Sequence, residues 1–213
     1  MKKNLESVNK LLTKVKTITE EYQEKAKSTG ENFNIFSILK METRENDTHS
    51  AFLGELLNPE GNHNQGNKFL KLFIDLLSID SLKFDLKSAK LKLEYLISKI
   101  NYQEKTGGRI DIYLWDNSGN TISIENKINA GDQPDQIVRY NNHNTNKNTV
   151  IYLNKFGDEP EKKSKGSLKS GEDFYIISYK ETVIRWLEVC LKESDNQPIL
   201  KESIRQYIIL IKK

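Results

Sequence analysis

Apolar residues recur at helical spacing through the first part of the chain. Spacings of three and four residues predict a helix over residues 5–27. Its apolar positions are Leu5, Val8, Leu11, Leu12, Val15, Ile18 and Tyr22. The same periodicity predicts a helical region over residues 34–57 and a strongly apolar helix over residues 69–77. The N-terminal region, about residues 1–80, is therefore expected to be helical.

Apolar and polar residues alternate in the middle of the chain, which predicts β-strands. The predicted strands cover residues 91–97, 109–115, 121–128, 149–153 and 174–178. Turn-forming residues 116–120 join the second and third strands as a hairpin. Further helices are predicted over residues 135–143, 182–191 and 198–211, and the Lys-rich residues 154–173 are predicted to form a mobile surface loop. This order predicts one α/β domain over residues 1–213, in which helices flank both faces of a mixed central β-sheet at about residues 90–180.

Composition narrows the class of protein. The chain has 213 residues, of which 36% are hydrophobic and 30% charged, as expected for a globular domain. Its net charge of +3 is compatible with a nucleic-acid partner but does not require one. The single cysteine, Cys190, excludes an internal disulfide and is expected to be a buried thiol. No apolar run is long enough to span a membrane, so a cytoplasmic protein is expected.

Three polar residues stand out in the predicted hairpin. Asp111 lies between apolar neighbours on one strand, and Glu125 and Lys127 share a face of the next. The other face is expected to supply the core, through Ile110, Ile112, Leu114, Ile122, Ile124 and Ile128. Two carboxylates at one point suit a Mg²⁺ ion, and a nearby cation suits phosphodiester hydrolysis. A surface ion pair between Lys127 and either acid is the alternative.

The Glu-x-Lys spacing has little specificity by itself. An acid stands two residues before a lysine at three places in the chain, which are Asp85/Lys87, Glu125/Lys127 and Glu161/Lys163. Only the second pair lies in a predicted apolar strand next to another strand that carries an isolated Asp. That context makes a catalytic site a serious hypothesis. We expect the Asp111 and Glu125 carboxylates within roughly 4–6 Å of each other, with at least one raised carboxyl pKa.

Three segments combine into a longer pattern, namely Gly-Arg-Ile-Asp-Ile at 108–112, Ile-Glu-Asn-Lys at 124–127 and Asp-Gln-x-x-x-Tyr at 135–140. Together they resemble the core of the PD-(D/E)XK nuclease superfamily. Residues 45–59, followed by His63 and Gly66, are similar to the start of a bacterial branch of uncharacterised PD-(D/E)XK family proteins. The superfamily's name expects Pro before the first Asp, where this chain has Ile110. Relatives in that branch tend to be longer, so a short or truncated member is expected.

This resemblance implies a restriction-endonuclease-like core and a Mg²⁺- or Mn²⁺-dependent nuclease, with DNA as the expected substrate. The residues that match the superfamily's site are Glu45, Asp111, Glu125, Lys127 and Gln136. Asp111, Glu125 and Glu45 would be the metal ligands. The alternatives are a nuclease-fold module that binds nucleic acid without cleaving it, and an interaction scaffold unrelated to nucleic acid. Pairing of two chains into a homodimer stays open.

Other polar residues are weaker candidates. Glu42 could take the place of Glu45, and His49 shares a predicted helix face with Glu45, so it either reaches the site or is structural. Tyr140 is expected to pack in the core. The three histidines, His49, His63 and His143, lack zinc-ligand spacing, and the absence of a Gly-Lys-Ser/Thr loop argues against an NTPase. Four loop lysines either bind phosphate or are merely solvated, namely Lys162, Lys163, Lys165 and Lys169.

Overall fold

A computed structural model describes the backbone of residues 2–213 and the side chains of residues 6–213, so the apolar position at Leu5 lies outside the described side chains. The helices are α1 (Lys2–Thr29), α2 (Ile35–Ile38), α3 (Ala51–Leu57), α4 (Lys68–Leu77), α5 (Gln136–Asn141), α6 (Lys162–Lys165), α7 (Ile184–Glu193) and α8 (Pro198–Ile211). The strands are β1 (Lys90–Asn101), β2 (Thr106–Trp115), β3 (Thr121–Lys127), β4 (Asn148–Asn154) and β5 (Tyr175–Ser178). Two π-helical turns, Glu45–Ser50 and Tyr179–Val183, precede α3 and α7.

The five strands form one mixed sheet in the order β1-β2-β3-β4-β5. Strand β2 is antiparallel to both of its neighbours, β1 and β3, whereas β3, β4 and β5 run parallel to one another. Parallel neighbours need crossover connections, and α5 and α6 lie in them. This arrangement confirms the predicted α/β fold with a mixed central sheet. It also makes β3 the central strand, paired on both sides.

Helices cover both faces of the sheet, as predicted. On one face, apolar residues of α3, α4, α7 and α8 pack against Ile112, Leu114, Ile122 and Ile124. On the other face, α5 contributes Ile137 and Tyr140 to a smaller cluster. The larger cluster buries the side chains that a two-layer α/β core requires. The smaller cluster leaves room at its edge for polar groups.

Strand β2 changes faces in its middle. Ile110 packs in the smaller cluster, while Ile112 packs in the larger one. The prediction that both lie on one face is therefore wrong. The pairing of β2 with β3 ends at Ile112 and Ile124, and Asp111 accepts a hydrogen bond from the Asn126 amide instead of extending the ladder. Strand β1 changes faces at the same level, because Leu93, the partner of Ile112, packs in the larger cluster and Tyr95, the partner of Ile110, packs in the smaller one.

The predicted helical region over residues 34–57 is interrupted. It consists of α2, a non-helical link, the π-helical turn Glu45–Ser50 and then α3. In the π-helical turn the His49 amide donates to the Arg44 carbonyl, five residues earlier. This wider turn replaces part of the regular α-helix that the periodicity predicts. The prediction of one continuous helical region over residues 34–57 is therefore wrong.

Residues 154–173 contain a short helix, α6, that packs beside α5. Ser164 in α6 is fully buried, and the Lys163 carbonyl accepts a hydrogen bond of 2.7 Å from the Asp135 amide. The Asp132 carboxylate accepts another, of 2.6 Å, from the Glu161 amide. The predicted surface loop is therefore wrong for this part of the segment, because hydrogen bonds tie it to the link before α5.

Helix α1 differs from the rest of the chain in its burial. From residue 6 onward, every side chain of α1 except Ala26 is exposed. Its predicted apolar face exists, and the large apolar side chains from Val8 to Tyr22 are at least half exposed. The C-terminal end of α1 meets the rest of the chain, because Ala26 is buried and lines a cavity together with residues of α7 and α8. Within residues 2–213, no helix combines the length and the apolar character needed to cross a bilayer.

Candidate active site

The five predicted site residues line one cleft of about 330 Å³. They come from four parts of the chain and are Glu45, Asp111, Glu125, Lys127 and Gln136. Strand β2 supplies the Asp, β3 supplies the Glu and the Lys, α5 supplies the Gln, and the π-helical turn before α3 supplies Glu45. Asp111 and Glu125 therefore do not lie on opposite faces of the sheet, the one arrangement that would have excluded a shared site.

The cleft opens where β2 and β3 separate. The two strands pair regularly from Trp115 and Thr121 to Ile112 and Ile124. Beyond that point the Asp111 Oδ2 accepts a hydrogen bond of 2.7 Å from the Asn126 amide. This bond satisfies a backbone donor that the ladder no longer pairs. The separation leaves space between the strands for carboxylates that a continuous ladder would press together.

Glu125 is the most deeply buried acid of the cleft, at 2% exposure. Its Oε1 accepts hydrogen bonds from the Lys127 ammonium at 2.7 Å and from the Gln136 side-chain amide at 2.6 Å. Its Oε2 is buried and has no hydrogen-bond partner in the described part of the chain. A buried carboxylate oxygen without a donor is costly. Burial raises the pKa of Glu125, and the positive charge of Lys127 opposes that rise.

The pKa of Asp111 is raised to about 8. Burial is the largest cause, the negative charge of Glu125 is the second, and the hydrogen bond from Asn126 acts in the opposite direction. The expectation that at least one carboxyl pKa would rise is confirmed. Mutual repulsion of two buried carboxylates is the kind of electrostatic strain that a bound cation relieves.

Lys127 carries a positive charge into the cleft. Burial alone would lower its pKa, but the adjacent carboxylate of Glu125, with further contributions from Asp111 and Glu45, raises the pKa overall. The side chain is only 9% exposed, so its pairing with Glu125 is not a surface ion pair. The alternative of a solvated cross-strand salt bridge therefore does not describe this site.

Glu45 lines the cleft through its position near the end of β3. Its Oε2 accepts hydrogen bonds from the amides of Ile128, Asn129 and Ala130, at 2.5, 3.0 and 3.1 Å. The carboxylate thus holds the chain as it leaves β3. Its role as a third metal ligand stays a prediction: across the described side chains, no three His, Cys, Asp or Glu residues converge closely enough to hold an ion. Glu42 lines a different cavity.

His49 lies away from the cleft, between helices. Its Nδ1 is 2.8 Å from the Tyr207 hydroxyl, and its Nε2 is 2.9 Å from the Glu42 carbonyl oxygen. A ring nitrogen that faces a carbonyl oxygen carries a proton, so Nε2 donates to Glu42. Burial lowers the pKa of His49, which favours the neutral ring, and in that form Nδ1 accepts from the Tyr207 hydroxyl. The structural alternative fits His49, and its proposed approach to the site with Glu45 is wrong.

Gln136 and Tyr140 form one layer beneath Glu125. Gln136 donates to Glu125 and also to the Tyr140 hydroxyl, at 3.3 Å. That hydroxyl in turn donates to the Arg109 carbonyl at 2.6 Å. Tyr140 is 1% exposed, so the expectation that it packs in the core is confirmed. The layer fixes the orientation of Gln136, and through it one oxygen of Glu125.

Glu94 is an acid near the site that the sequence analysis did not select. Its charge contributes to the raised pKa of Asp111, and its Oε2 forms an ion pair of 2.8 Å with Arg109. Its Oε1 is buried and unpartnered in the residues that the structure describes. The backbone of Glu94 has a φ of 52°, which is rare for a residue other than glycine. Regular alternation in β1 gave no signal for this local distortion.

The lysines of residues 154–173 show no common phosphate site. Lys163 pairs with Glu161, Lys165 with Glu159, and Lys169 with Glu172. Each partner belongs to the same segment. Surface pairs of this kind contribute little to stability. Their proposed contact with nucleic acid stays untested.

The donor set fits a small divalent cation. Mg²⁺ is commonly held by one or two carboxylates and completes its shell with water and phosphate oxygens. Asp111 and Glu125 supply two carboxylates, and Glu125 Oε2 is a buried acceptor to which no described group donates. A site of three protein carboxylates is not needed for this ion.

Comparison with known families gives a match over most of the chain. A family model described as PD-(D/E)XK nuclease superfamily matches residues 33–209. That span includes the whole sheet and all five predicted site residues, and it leaves out the whole of α1. No curated protein and no solved structure matches the chain.

Proposed function

The chain belongs to the PD-(D/E)XK nuclease superfamily, and we propose that its cleft hydrolyses phosphodiester bonds of DNA in the presence of Mg²⁺ or Mn²⁺. One observation carries this proposal: among the side chains that the structure describes, Oε2 of the buried Glu125 has no partner, although it lies next to a second acid, Asp111, and a buried cation, Lys127. A structural cluster would neutralise that oxygen with a donor. A metal site leaves it for the ion.

The residues divide the chemical work between holding and stabilising charge. Asp111 and Glu125 would hold the ion, which when bound lowers the pKa of water and neutralises charge on the phosphate. Gln136 and Lys127 both donate to Oε1 of Glu125, so Oε2 is the oxygen that remains for metal binding. The Asn126 backbone amide donates to Oδ2 of Asp111, and this hydrogen bond orients the Asp111 carboxylate.

Lys127 is the proposed catalytic cation. Its raised pKa keeps it protonated at neutral pH, so its ammonium can stabilise the negative charge that grows on the phosphoryl group in the transition state. Its pairing with Glu125 places that charge beside the metal ligands at little cost in side-chain freedom. Arg109, at the rim of the cleft, supplies a further positive charge toward a phosphate backbone.

The rival proposal is a module that keeps the fold and binds nucleic acid without cleaving it. A cluster of buried charges is unfavourable for stability. A domain that does not cleave has no use for such a cluster, so it gains nothing from holding Asp111, Glu125 and Lys127 together. The intact cluster favours the enzyme. DNA rather than RNA as the substrate rests on the resemblance to the superfamily.

A nicking assay tests the proposal. Supercoiled plasmid is incubated with the protein and Mn²⁺ or Mg²⁺, with an excess of chelator as the control, and matched RNA is tested in parallel. The proposal predicts metal-dependent conversion to nicked or linear DNA. Saturable metal binding without cleavage of either polymer would instead support the non-cleaving module.

A further inference from the structure

Helix α1 exposes a continuous apolar stripe to solvent. Six of its large apolar side chains are between 50% and 67% exposed, and they are Val8, Leu11, Leu12, Val15, Ile18 and Tyr22. Scattered apolar residues are normal on a protein surface, but a row along one helix marks an interaction site. The helix is also long, at 28 residues, and among the side chains of its residues 6–29 only Ala26, near the C-terminal end, is buried. Isolated helices are marginal in water, so a partner would stabilise it.

The spacing of the stripe is that of a coiled coil. Val8, Leu11, Val15, Ile18 and Tyr22 follow one another at alternating intervals of three and four residues. This is the a/d pattern of a heptad repeat, with Val8, Val15 and Tyr22 at a. The outward positions b, c and f are all polar from residue 9 to residue 27. The stripe is therefore a narrow seam suited to one other helix, not a broad face suited to a sheet.

We propose that α1 pairs with α1 of a second copy of this chain as an antiparallel coiled coil. In the antiparallel alignment, Leu11 packs against the Tyr22 position and Val15 against the Ile18 position of the second helix. That alignment brings the g position Lys14 next to the g position Glu21 of the other copy. The two-fold symmetry of the dimer repeats this Lys14–Glu21 pair on the other side of the seam. The charges that flank the seam are therefore complementary.

A parallel pairing is less compatible with the same residues. It would place the d position Lys25 against its own copy, which is a repulsive contact at the seam. The g-to-e′ neighbours would be Lys14 with Thr19 and Glu21 with Ala26, and neither pair is attractive. The charge pattern thus selects the antiparallel orientation.

The contact is large enough for a specific dimer. Burial of the six exposed side chains from each of two helices removes about 1,200 Å² of surface from water, which is the lower edge of specific interfaces. The five-residue link 30–34 and α2 lie outside this seam, so the sheet and its cleft need not change. The family match begins at residue 33, which leaves the whole of α1 outside the part that the family model covers.

Sedimentation velocity of the full chain between about 1 and 200 µM tests the proposal. We expect the parent to reach twice the monomer mass of 24.7 kDa within this range. Val15→Asp places a charge in the centre of the seam and should weaken dimerisation at least ~100-fold. Thr17→Asp is the matched control, because it adds the same charge two residues away on the outward face, and its effect should stay within ~3-fold. Circular dichroism checks that both variants keep their helix content.

A charge exchange tests the orientation. Lys14→Glu and Glu21→Lys should each weaken self-association by about 3- to 10-fold, since each variant meets a like charge. An equimolar mixture of the two variants should regain the dimer, because the antiparallel hybrid restores both attractive pairs. Mixing without recovery would overturn the antiparallel pairing. A parent that stays monomeric at 200 µM, or a Val15→Asp variant that dimerises like the parent, would overturn the dimer. The readout is mass, so it is independent of nuclease activity.

Discussion

The two sides of strand β3 treat buried polar groups in opposite ways. On one side, the Asn126 side chain donates to the Ser50 hydroxyl and accepts from the Tyr179 hydroxyl, both at 2.9 Å. On the other side, Glu125 and Lys127 are charged, and one carboxylate oxygen has no partner among the described residues. Three consecutive residues thus supply a neutral, hydrogen-bonded cluster and an electrostatically strained one.

The difference separates structural polar residues from functional ones. Asn126 lies between Glu125 and Lys127 in the same strand and is buried as they are. Its side-chain oxygen and nitrogen, however, both have protein partners. His49 follows the same rule, with both ring nitrogens paired. A buried polar group with an unused hydrogen-bond acceptor, next to other groups of like charge, indicates a ligand-binding site. Burial alone would not have distinguished them.

The largest effect is expected from removal of a charged metal ligand. Asp111→Asn keeps the size of the side chain but removes the charge that would bind the ion, so both metal affinity and cleavage should fall, cleavage by ~10³-fold or more. A plasmid-nicking time course with Mn²⁺ measures the rate. Asp75→Asn, at an exposed ion pair on α4, is the control and should cleave like the parent. Cleavage by Asp111→Asn at the rate of the parent would contradict a functional role for the charged cluster beside β3.

Replacement of the buried cation should have the next largest effect. Lys127→Met keeps the packing of the stem and removes the charge, so cleavage should fall by at least ~10²-fold while metal binding survives. Lys147→Met is the matched control, because Lys147 bonds to the turn between β2 and β3, at the opposite end of the sheet. Calorimetric metal titration beside the nicking assay separates the two readouts. Equal rates for Lys127→Met and the parent would reduce Lys127 to an ion-pair partner.

A smaller effect is expected on stability without metal. The folded-state pKa of Asp111 is raised to about 8, so its contribution to stability is present below the unfolded pKa and is lost as pH rises through 8. Asp111→Asn does not titrate. Between pH 5 and pH 8 the parent should therefore lose at least about 1.4 kcal/mol more unfolding free energy than this variant does. Urea unfolding in chelator measures the difference, and a gap that does not change with pH would contradict it.

The smallest effect should come from the neutral side of β3. Tyr179→Phe removes the hydroxyl that donates to Asn126, which should cost about 1 kcal/mol of unfolding free energy. Cleavage should stay within ~3-fold of the parent, because Asn126 reaches Asp111 through its backbone amide. Thermal unfolding and the nicking assay give the two values. A large loss of cleavage with unchanged stability would show that the neutral cluster takes part in catalysis.

Much of the fold and of the site follows from periodicity. Alternation in residues 109–115 and 121–128 was enough to place Asp111, Glu125 and Lys127 on neighbouring strands, because β-strand geometry repeats every two residues. The resemblance to known nucleases added Glu45 and Gln136, which pattern alone did not select. All five line the observed cleft.

The failures share a physical cause, which is local departure from regular geometry. Strands β1 and β2 change faces together beside the unusual backbone of Glu94, because Leu93 and Ile112 pack in the larger cluster while Tyr95 and Ile110 pack in the smaller one. The π-helical turn Glu45–Ser50 interrupts the helical region predicted over residues 34–57. Such irregularities add or remove one residue from a repeat, and they depend on tertiary contacts that no short sequence window contains.

The central claim is that Asp111 and Glu125 form a metal site whose strain the ion relieves. Calorimetric titration of the parent with Mn²⁺ at pH 7, in two buffers with different ionisation enthalpies, tests it most directly. Because the pKa of Asp111 is raised to about 8, this carboxyl is largely protonated at pH 7 and must lose its proton to bind the ion. The account predicts saturable binding with release of about one proton per ion. Absence of binding, or binding without proton release, would contradict it.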